Sequence, residues 1–268
     1  MDGPPEWLDE LPLEPGPPWV AMGTRGLDGD RWLVVDGDLE QDLAVKAQLL
    51  DERPAEVFAA LDTEAVREAS AEVLQLVVEA TGATARADLH PLDAAARLVQ
   101  EDLCLLVLHD GVPHLDAGSV CFPSYWRLAD KLGRPLSEVH RPVPHYAEEL
   151  AGKVDGFLAR LRPDRIVWRR NWSIHDDPTY FLPDATPPRG GDPPDGFFVR
   201  SERQTLRRLA GGAVVFTIRT QQVPLAVLAD RPDLAHRMAR VIGGWPADTV
   251  AYKGGHGALA ATGWLAAR

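Results

Sequence analysis

The sequence predicts an α+β fold, an antiparallel sheet covered and extended by flanking helices. Three observations carry this reading. Strand-like and helix-like segments follow one another in irregular order, without the regular alternation of a parallel α/β fold. Residues 103–108, LCLLVL, form a short continuous apolar run closed by His109-Asp110-Gly111, as expected of a buried strand and its turn. Residues 64–82, EAVREASAEVLQLVVEATG, place Val66, Ala69, Val73, Leu76 and Val77 at helical spacing.

The 268 residues are enough for one sizeable core, and 45% hydrophobic with 25% charged residues is the composition of an ordinary globular chain. Lys and Arg number 28 against 40 Asp and Glu, a net charge of −12, which argues against a nucleic-acid or anionic-membrane partner. Two cysteines, Cys104 and Cys121, are too far apart for a Cys-x-x-Cys knuckle and suit a reducing compartment. The N-terminus is acidic and proline-rich rather than basic and then apolar, and no stretch reaches the roughly 18 apolar residues of a membrane span. A cytoplasmic, untargeted protein is therefore expected.

Along the chain, residues 1–18 hold six prolines and are expected to wrap a surface in extended form or stay loose, leaving 19–268 as the folded domain. Residues 19–36 read as two strands around a turn at Gly26 to Asp30. Short helical patterns cover 38–50 and 54–61, and Asp62-Thr63 precedes the helix of 64–82 as a cap. A helix over 91–99, the strand 103–108, a strand near 115–122, a helix over 146–161 and a strand over 165–174 follow. Residues 175–196 form a long loop thick with Pro, Asp and Gly, a length that marks a candidate cover for a site. Strands at 197–199 and 213–220 flank an expected helix over 202–209, with Ser201 and Gln204 spaced as a capping box, and 224–242 reads as helical.

Common catalytic signatures are missing: no Gly-x-Ser-x-Gly elbow, no Walker loop and no His-Glu-x-x-His helix. Gly255-His256-Gly257 imitates a dinucleotide fingerprint without room for the strand that must follow. His109 and His114 flank a turn and read as solvated, as do His90, His236 and His256.

Three segments are denser in polar and aromatic residues than a core needs. In residues 118–146, His140 sits just beyond a short helix, with Pro142 and Pro144 stiffening the chain around it. A histidine held in one orientation suits an axial metal ligand, and it equally suits a hydrogen-bonding cap; His145 is the alternative. In residues 166–175, IVWRRNWSIH, strand alternation puts Trp168, Arg170 and Trp172 on one face and Arg169, Asn171 and Ser173 on the other. An arginine between two tryptophans can line a pocket for a flat ligand bearing a carboxylate, or pack by cation–π contact inside a core. In residues 199–209, Glu202 and Arg203 stand together, as a site pair or a surface ion pair.

VQEDLCLL (99–106), VCFPSYWRLADKLGRPLSEVHRPVPHY (120–146), RRNWSI (169–174) and RSERQTLRRLAGGAVVFTIRT (200–220) together resemble the haem-dependent oxidative N-demethylase alpha-subunit-like family, over roughly residues 30–255. The resemblance implies a PAS-like α+β fold that binds haem b noncovalently, in keeping with the missing Cys-x-x-Cys-His attachment motif. It implies an oxidoreductase that activates dioxygen to oxidise an amine or related nitrogen compound, releasing formaldehyde, with electrons from a separate reductase. A noncatalytic PAS-like haem sensor is the alternative. His140 becomes the expected iron ligand, and His145 stands where relatives would carry glycine; Cys121 is a lesser candidate. Lys131, Arg134, Arg141 and Arg169, with Trp168 and Trp172, are the expected cofactor contacts, the cations pairing with the haem propionates. Arg170 or Arg203 is expected to stabilise bound oxygen, and Glu202 to hold an ammonium substrate.

Overall fold

A computed structural model describes residues 4–14, 22–163, 165–185, 187, 189–253 and 255–268. Among the described residues seven strands form one antiparallel sheet: β1 (Arg25–Leu27), β2 (Phe58–Ala60), β3 (Asp102–His109), β4 (Val112–Ser119), β5 (Ile166–His175), β6 (Phe198–Arg208) and β7 (Val214–Pro224). Their spatial order is β1-β5-β6-β7-β3-β4-β2. The helices are α1 (Leu39–Glu52), α2 (Pro54–Val57), α3 (Glu64–Thr81), α4 (Pro91–Ala96), α5 (Leu136–Val139), α6 (Ala151–Arg160), α7 (Pro232–Gly243), α8 (Ala247–Tyr252) and α9 (Gly255–Ala266). The expected α+β architecture is therefore the observed one.

Helix α3 follows from its sequence. The Thr63 hydroxyl accepts the Val66 N–H at the N-terminus, Gly82 closes the other end at φ 66°, and Val66, Ala69, Val73 and Val77 are buried against the sheet. With Trp32, α4 and inward residues of β3 and β7 they build one core cluster. A second cluster lies on the same face toward the other end of β5, where Trp172, Ile174 and Val199 meet α7, α9 and the leucines Leu8, Leu11 and Leu13. The proline-rich arm is thus anchored, not loose, over its described part: those leucines are at most 4% exposed. Residues 15–18 of that arm lie outside the described residues. The opposite face carries a third cluster, in which Cys104, Leu106 and Val214 meet Leu136, Leu158 and Leu161.

The expected helix over 202–209 is instead the second half of β6, paired along its length with β5 and β7. Glu, Arg, Gln and Leu are good helix formers and Ser201 and Gln204 satisfy a capping box locally, but two flanking strands offer eleven residues a full backbone ladder. The expected hairpin over 19–36 is also absent among the described residues. Only Arg25–Leu27 pairs, with β5, and a short 3-10 turn over Gly29–Arg31 follows; Trp19 to Ala21 lie outside the described residues. The strand expected near 115–122 begins earlier and ends at Ser119, because Cys121 and Phe122 give their N–H groups to the Asp102 carboxylate at 2.8 and 2.9 Å.

The Gly255-His256-Gly257 imitation has a packing reason at Gly257, where a Cβ would stand 2.9 Å from the Ile174 carbonyl oxygen, so α9 can lie directly on β5. The side chain of His256 lies outside the described residues.

Asp102 is fully buried, and burial pushes its carboxyl up to about 6 against the opposing pull of Lys46 and the two N–H groups. Because its folded-state value lies above the ordinary carboxylate range, its contribution to stability falls as pH rises through about 6. Asp102→Ala strands two buried N–H donors and is expected to cost about 2–4 kcal/mol in urea unfolding; a change under about 0.5 kcal/mol would contradict the role given to this carboxylate.

Candidate functional site

Strand alternation decides what the site contains. The pairs Arg170–Arg203 and Arg203–Arg219 are directly opposite in the register, so these three arginines form a row across β5, β6 and β7 on the face covered by α3, α4, α7 and α9. Arg169, Asn171, Gln204 and Glu202 occupy the other face. Glu202 and Arg203 are therefore not a pair, and the expected grouping of Glu202 with Arg170 and Arg203 is split by the thickness of the sheet.

The arginine row is sealed. Arg170 pairs with Glu10 at 2.7 Å and donates to Ser201 and Gln221. Arg203 donates to the carbonyls of Arg31 and Trp32 and lies over the Trp168 ring. Arg219 pairs with Asp36 and Asp42 at 2.7 and 2.9 Å. Trp172 is 3% exposed and packs against Trp245. Trp168 thus takes part in a cation–π contact and Trp172 in core packing on the covered face.

The other face is polar at its centre. Arg169, Asn171, Glu202 and Gln204 are only partly buried. Asn171 and Gln204 donate to Glu202 Oε2, at 3.4 and 2.9 Å. Lys253, just past α8, reaches over this floor to Asn171 Oδ1 and the Trp172 carbonyl at 2.8 and 2.9 Å. Burial, then the neighbouring Arg169, bring the Lys253 ammonium down to about 8. Nothing in the local pattern around Lys253 marks it in the sequence.

His140 closes α5, and its orientation is fixed twice. Its ring Nδ1–H donates to the Leu136 carbonyl at 3.0 Å, and its ring stacks on Tyr146 with centroids 4.4 Å apart. With Nδ1 donating, Nε2 keeps its lone pair, and among the described residues it makes no hydrogen bond. Burial, with Arg169 and Lys131 adding repulsion, holds the imidazole below its ordinary value and hence neutral. His145 differs: its Nε2 contacts Asp248 at 3.0 Å, and it sits at φ 62°, a left-handed position that favours glycine.

Beside α5 lies a cleft of about 590 Å³, within the size range of small-molecule sites. Lys131, Arg134 and Arg141 line it, with Tyr125 and Trp126, and Pro183, Asp184 and Ala185 of the long loop form its other wall. Lys131 donates to the Val139 carbonyl at 2.8 Å, and burial followed by Arg141 lowers its ammonium. The loop is tied down: Arg127 pairs with Asp184, and Arg200 donates to the carbonyls of Thr179 and Tyr180. Residues 186 and 188 lie outside the described residues.

One arrangement has almost no local signature. Tyr125, at φ 60°, stacks on His175 and meets its Nδ1 at 3.2 Å, while the His175 Nε2 meets the Ser173 hydroxyl at 2.8 Å. Burial, then Arg200, push His175 down to about 3, so it is neutral, with one ring nitrogen donating and the other accepting between the two hydroxyls. The one sequence signal is an aromatic residue in a Pro-Ser-Tyr turn. His109 and His114 are not merely solvated either: they stack 4.3 Å apart, and His109 meets the buried Asp116 at 2.6 Å.

A family model described as haem-dependent oxidative N-demethylase, alpha subunit-like, matches residues 78–261. The chain belongs to that family. The match spans the open face, the cleft and His140, and leaves outside it Glu10, Asp36 and Asp42, which seal the arginine row.

The donor set suits the haem that this N-demethylase-like family takes its name from. Among the described residues no three His, Cys, Asp or Glu side chains converge as a metal site, whereas a porphyrin brings four nitrogens of its own and asks the protein for one axial group. His140 offers a neutral, oriented Nε2, and Lys131, Arg134 and Arg141 offer cations in one cleft. The thiols do not compete: both are buried, and burial raises each, Cys121 to about 12. Accordingly neither Cys104 nor Cys121 should react with a disulfide reagent near neutral pH in the folded protein, with both reacting after guanidinium denaturation. Rapid labelling of the native protein would show the thiol environment to be otherwise.

Proposed function

We propose that this chain is a haem-dependent oxidoreductase that uses dioxygen to oxidise an amine or a related nitrogen compound, by oxidative N-demethylation or a variant of it. The observation that carries the reading is the His140 ring: Nδ1 bonded to Leu136, one face on Tyr146, and Nε2 unspent. In this reading Nε2 would bind the iron of a noncovalent haem b, and the chain from residue 19 on, with the anchored leucines of the N-terminal arm, forms one PAS-like haem domain. Lys131, Arg134 and Arg141 hold the propionates from the cleft. When bound, the haem supplies the activation of dioxygen that no side chain of this chain can perform.

The chain's own residues then have separable tasks. The Leu136 carbonyl fixes the His140 tautomer and raises its basicity as a ligand. Glu202, with Oε2 held by Asn171 and Gln204, presents a carboxylate to the substrate nitrogen. Loss of an N-methyl group as formaldehyde consumes dioxygen, two electrons and two protons and leaves water. The Ser173–His175–Tyr125 chain holds the Tyr125 side chain at the wall of the cleft. The electrons come from a separate reductase, and the setting is cytoplasmic; among the described residues no helix is long and apolar enough to cross a membrane. Arg170 and Arg203, sealed on the other face, have no part in oxygen binding in this reading.

Protein purified from haem-supplied cells is expected to show a Soret band that shifts on reduction under carbon monoxide. In His140→Ala the band should be lost or displaced while the far-ultraviolet circular dichroism stays unchanged. A wild-type protein that is colourless and takes up no added hemin would end the haem reading, and an unaltered spectrum in the variant would remove His140 as ligand.

A further inference from the structure

The sheet carries seven arginines on β5, β6 and β7, and their saturation separates them. Arg170, Arg200, Arg203, Arg208 and Arg219 all donate hydrogen bonds, and Arg207 lies over the Trp32 ring. Arg169 does neither: among the described residues none of its nitrogens donates a hydrogen bond, and its Nε is buried. A half-buried guanidinium with its Nε shielded and its planar fork unspent is a receptor for a carboxylate, which takes two parallel N–H groups at once.

Its neighbours define what else that ligand carries. Glu202 stands diagonally across the β5–β6 ladder from Arg169, on the same face, with Oε1 accepting no hydrogen bond among the described residues. Lys253 adds a second cation over the same floor. Two cations and one carboxylate repel a simple ammonium ion, which Glu202 alone must hold against Arg169 and Lys253. A zwitterion cancels the mismatch, because its carboxylate answers the arginine while its ammonium answers Glu202.

We infer that the substrate class is an N-alkylated amino acid, bound with its carboxylate on Arg169 and its ammonium nitrogen on Glu202 Oε1. The inference rests on the amine-oxidising reading above and sharpens it: amines lacking a carboxylate are poor ligands. The same guanidinium could instead receive a haem propionate, and the test separates the two carboxylate sources.

Isothermal titration of the haem-loaded protein with N,N-dimethylglycine and with dimethylamine reads the preference directly, and Soret absorbance reads haem content in the same samples. Wild type is expected to bind dimethylglycine about tenfold to a hundredfold more tightly than dimethylamine. Arg169→Met should erase that preference with haem content unchanged, and Glu202→Gln should weaken both ligands. Among the described residues Arg169 donates to no acceptor, so its removal strands no hydrogen-bond partner; if Arg169→Met does not fold, Arg169→Lys keeps the charge without the fork and should lose most of the preference. Equal affinity of the two amines for wild type, or a preference that survives in the arginine variants, overturns the inference. Loss of haem from Arg169→Met overturns it too, by assigning the guanidinium to a propionate. A wild type without haem defeats the functional reading alone, since the same titration on that protein still reports whether a carboxylate is required.

Discussion

Three buried guanidinium groups lie side by side across the middle strands, and the rest of the chain is arranged around keeping them paired. Arg170, Arg203 and Arg219 are successive partners in the ladder, each at most 6% exposed. Adjacent like charges out of water are tolerable only if acceptors surround each one, and losing a partner from such a set leaves a buried charge uncompensated. The acceptors come from far away in sequence: Glu10 from the N-terminal turn, the Arg31 and Trp32 carbonyls from the 3-10 turn after β1, Asp36 from the residues just before α1 and Asp42 from its first turn. Lys46 extends the pattern by donating to the Val99 and Glu101 carbonyls, which ties α1 to the entry of β3. The first part of the chain is therefore held across the sheet by charge as much as by its leucines.

That arrangement leaves the opposite face free. A strand sends alternate residues to opposite sides, so a sequence dense in Arg, Glu, Gln and Asn must populate both. On one side the polar belt is capped by carboxylates and helices. On the other it stays partly exposed beneath Lys253, between the third apolar cluster at one end and the tied-down loop at the other. His140, the cationic cleft and Lys253 all gather around this second belt, and electrostatics link them: Arg169 acts on His140 and on Lys253, and Glu202 acts on Arg169.

The sequence is informative wherever a local rule and the tertiary fold agree. The Thr63 cap and the spacing of Val66, Ala69, Val73 and Val77 specify α3 because one helix face meets one sheet. The alternation of residues 166–175 specifies a strand, and with it the placement of Arg169 and Arg170 on opposite faces. Alternation does not reveal which face is covered, because the covering groups lie up to 183 positions away, as with Arg219 and Asp36. Residues 202–209 mislead for the opposite reason, since a helical propensity and a capping box are both present and both are overruled by pairing with β5 and β7. Tyr125 and His175 leave little trace in the local pattern and Lys253 none, because each matters through a partner distant in sequence.

Burial alone does not distinguish structural from functional arginines in this fold. Arg200 sits on the same face as Arg169 and is more deeply buried, at 1% exposure, with its Nε equally bare. Yet it donates to the carbonyls of Phe122, Pro123, Thr179 and Tyr180, so its charge holds the cleft segment and the long loop against the sheet. A ligand offered to Arg200 would have to compete with four acceptors already in place, whereas one offered to Arg169 displaces none among the described residues. The unspent donors, rather than depth or position, are what make Arg169 a receptor and leave Arg200 a clamp.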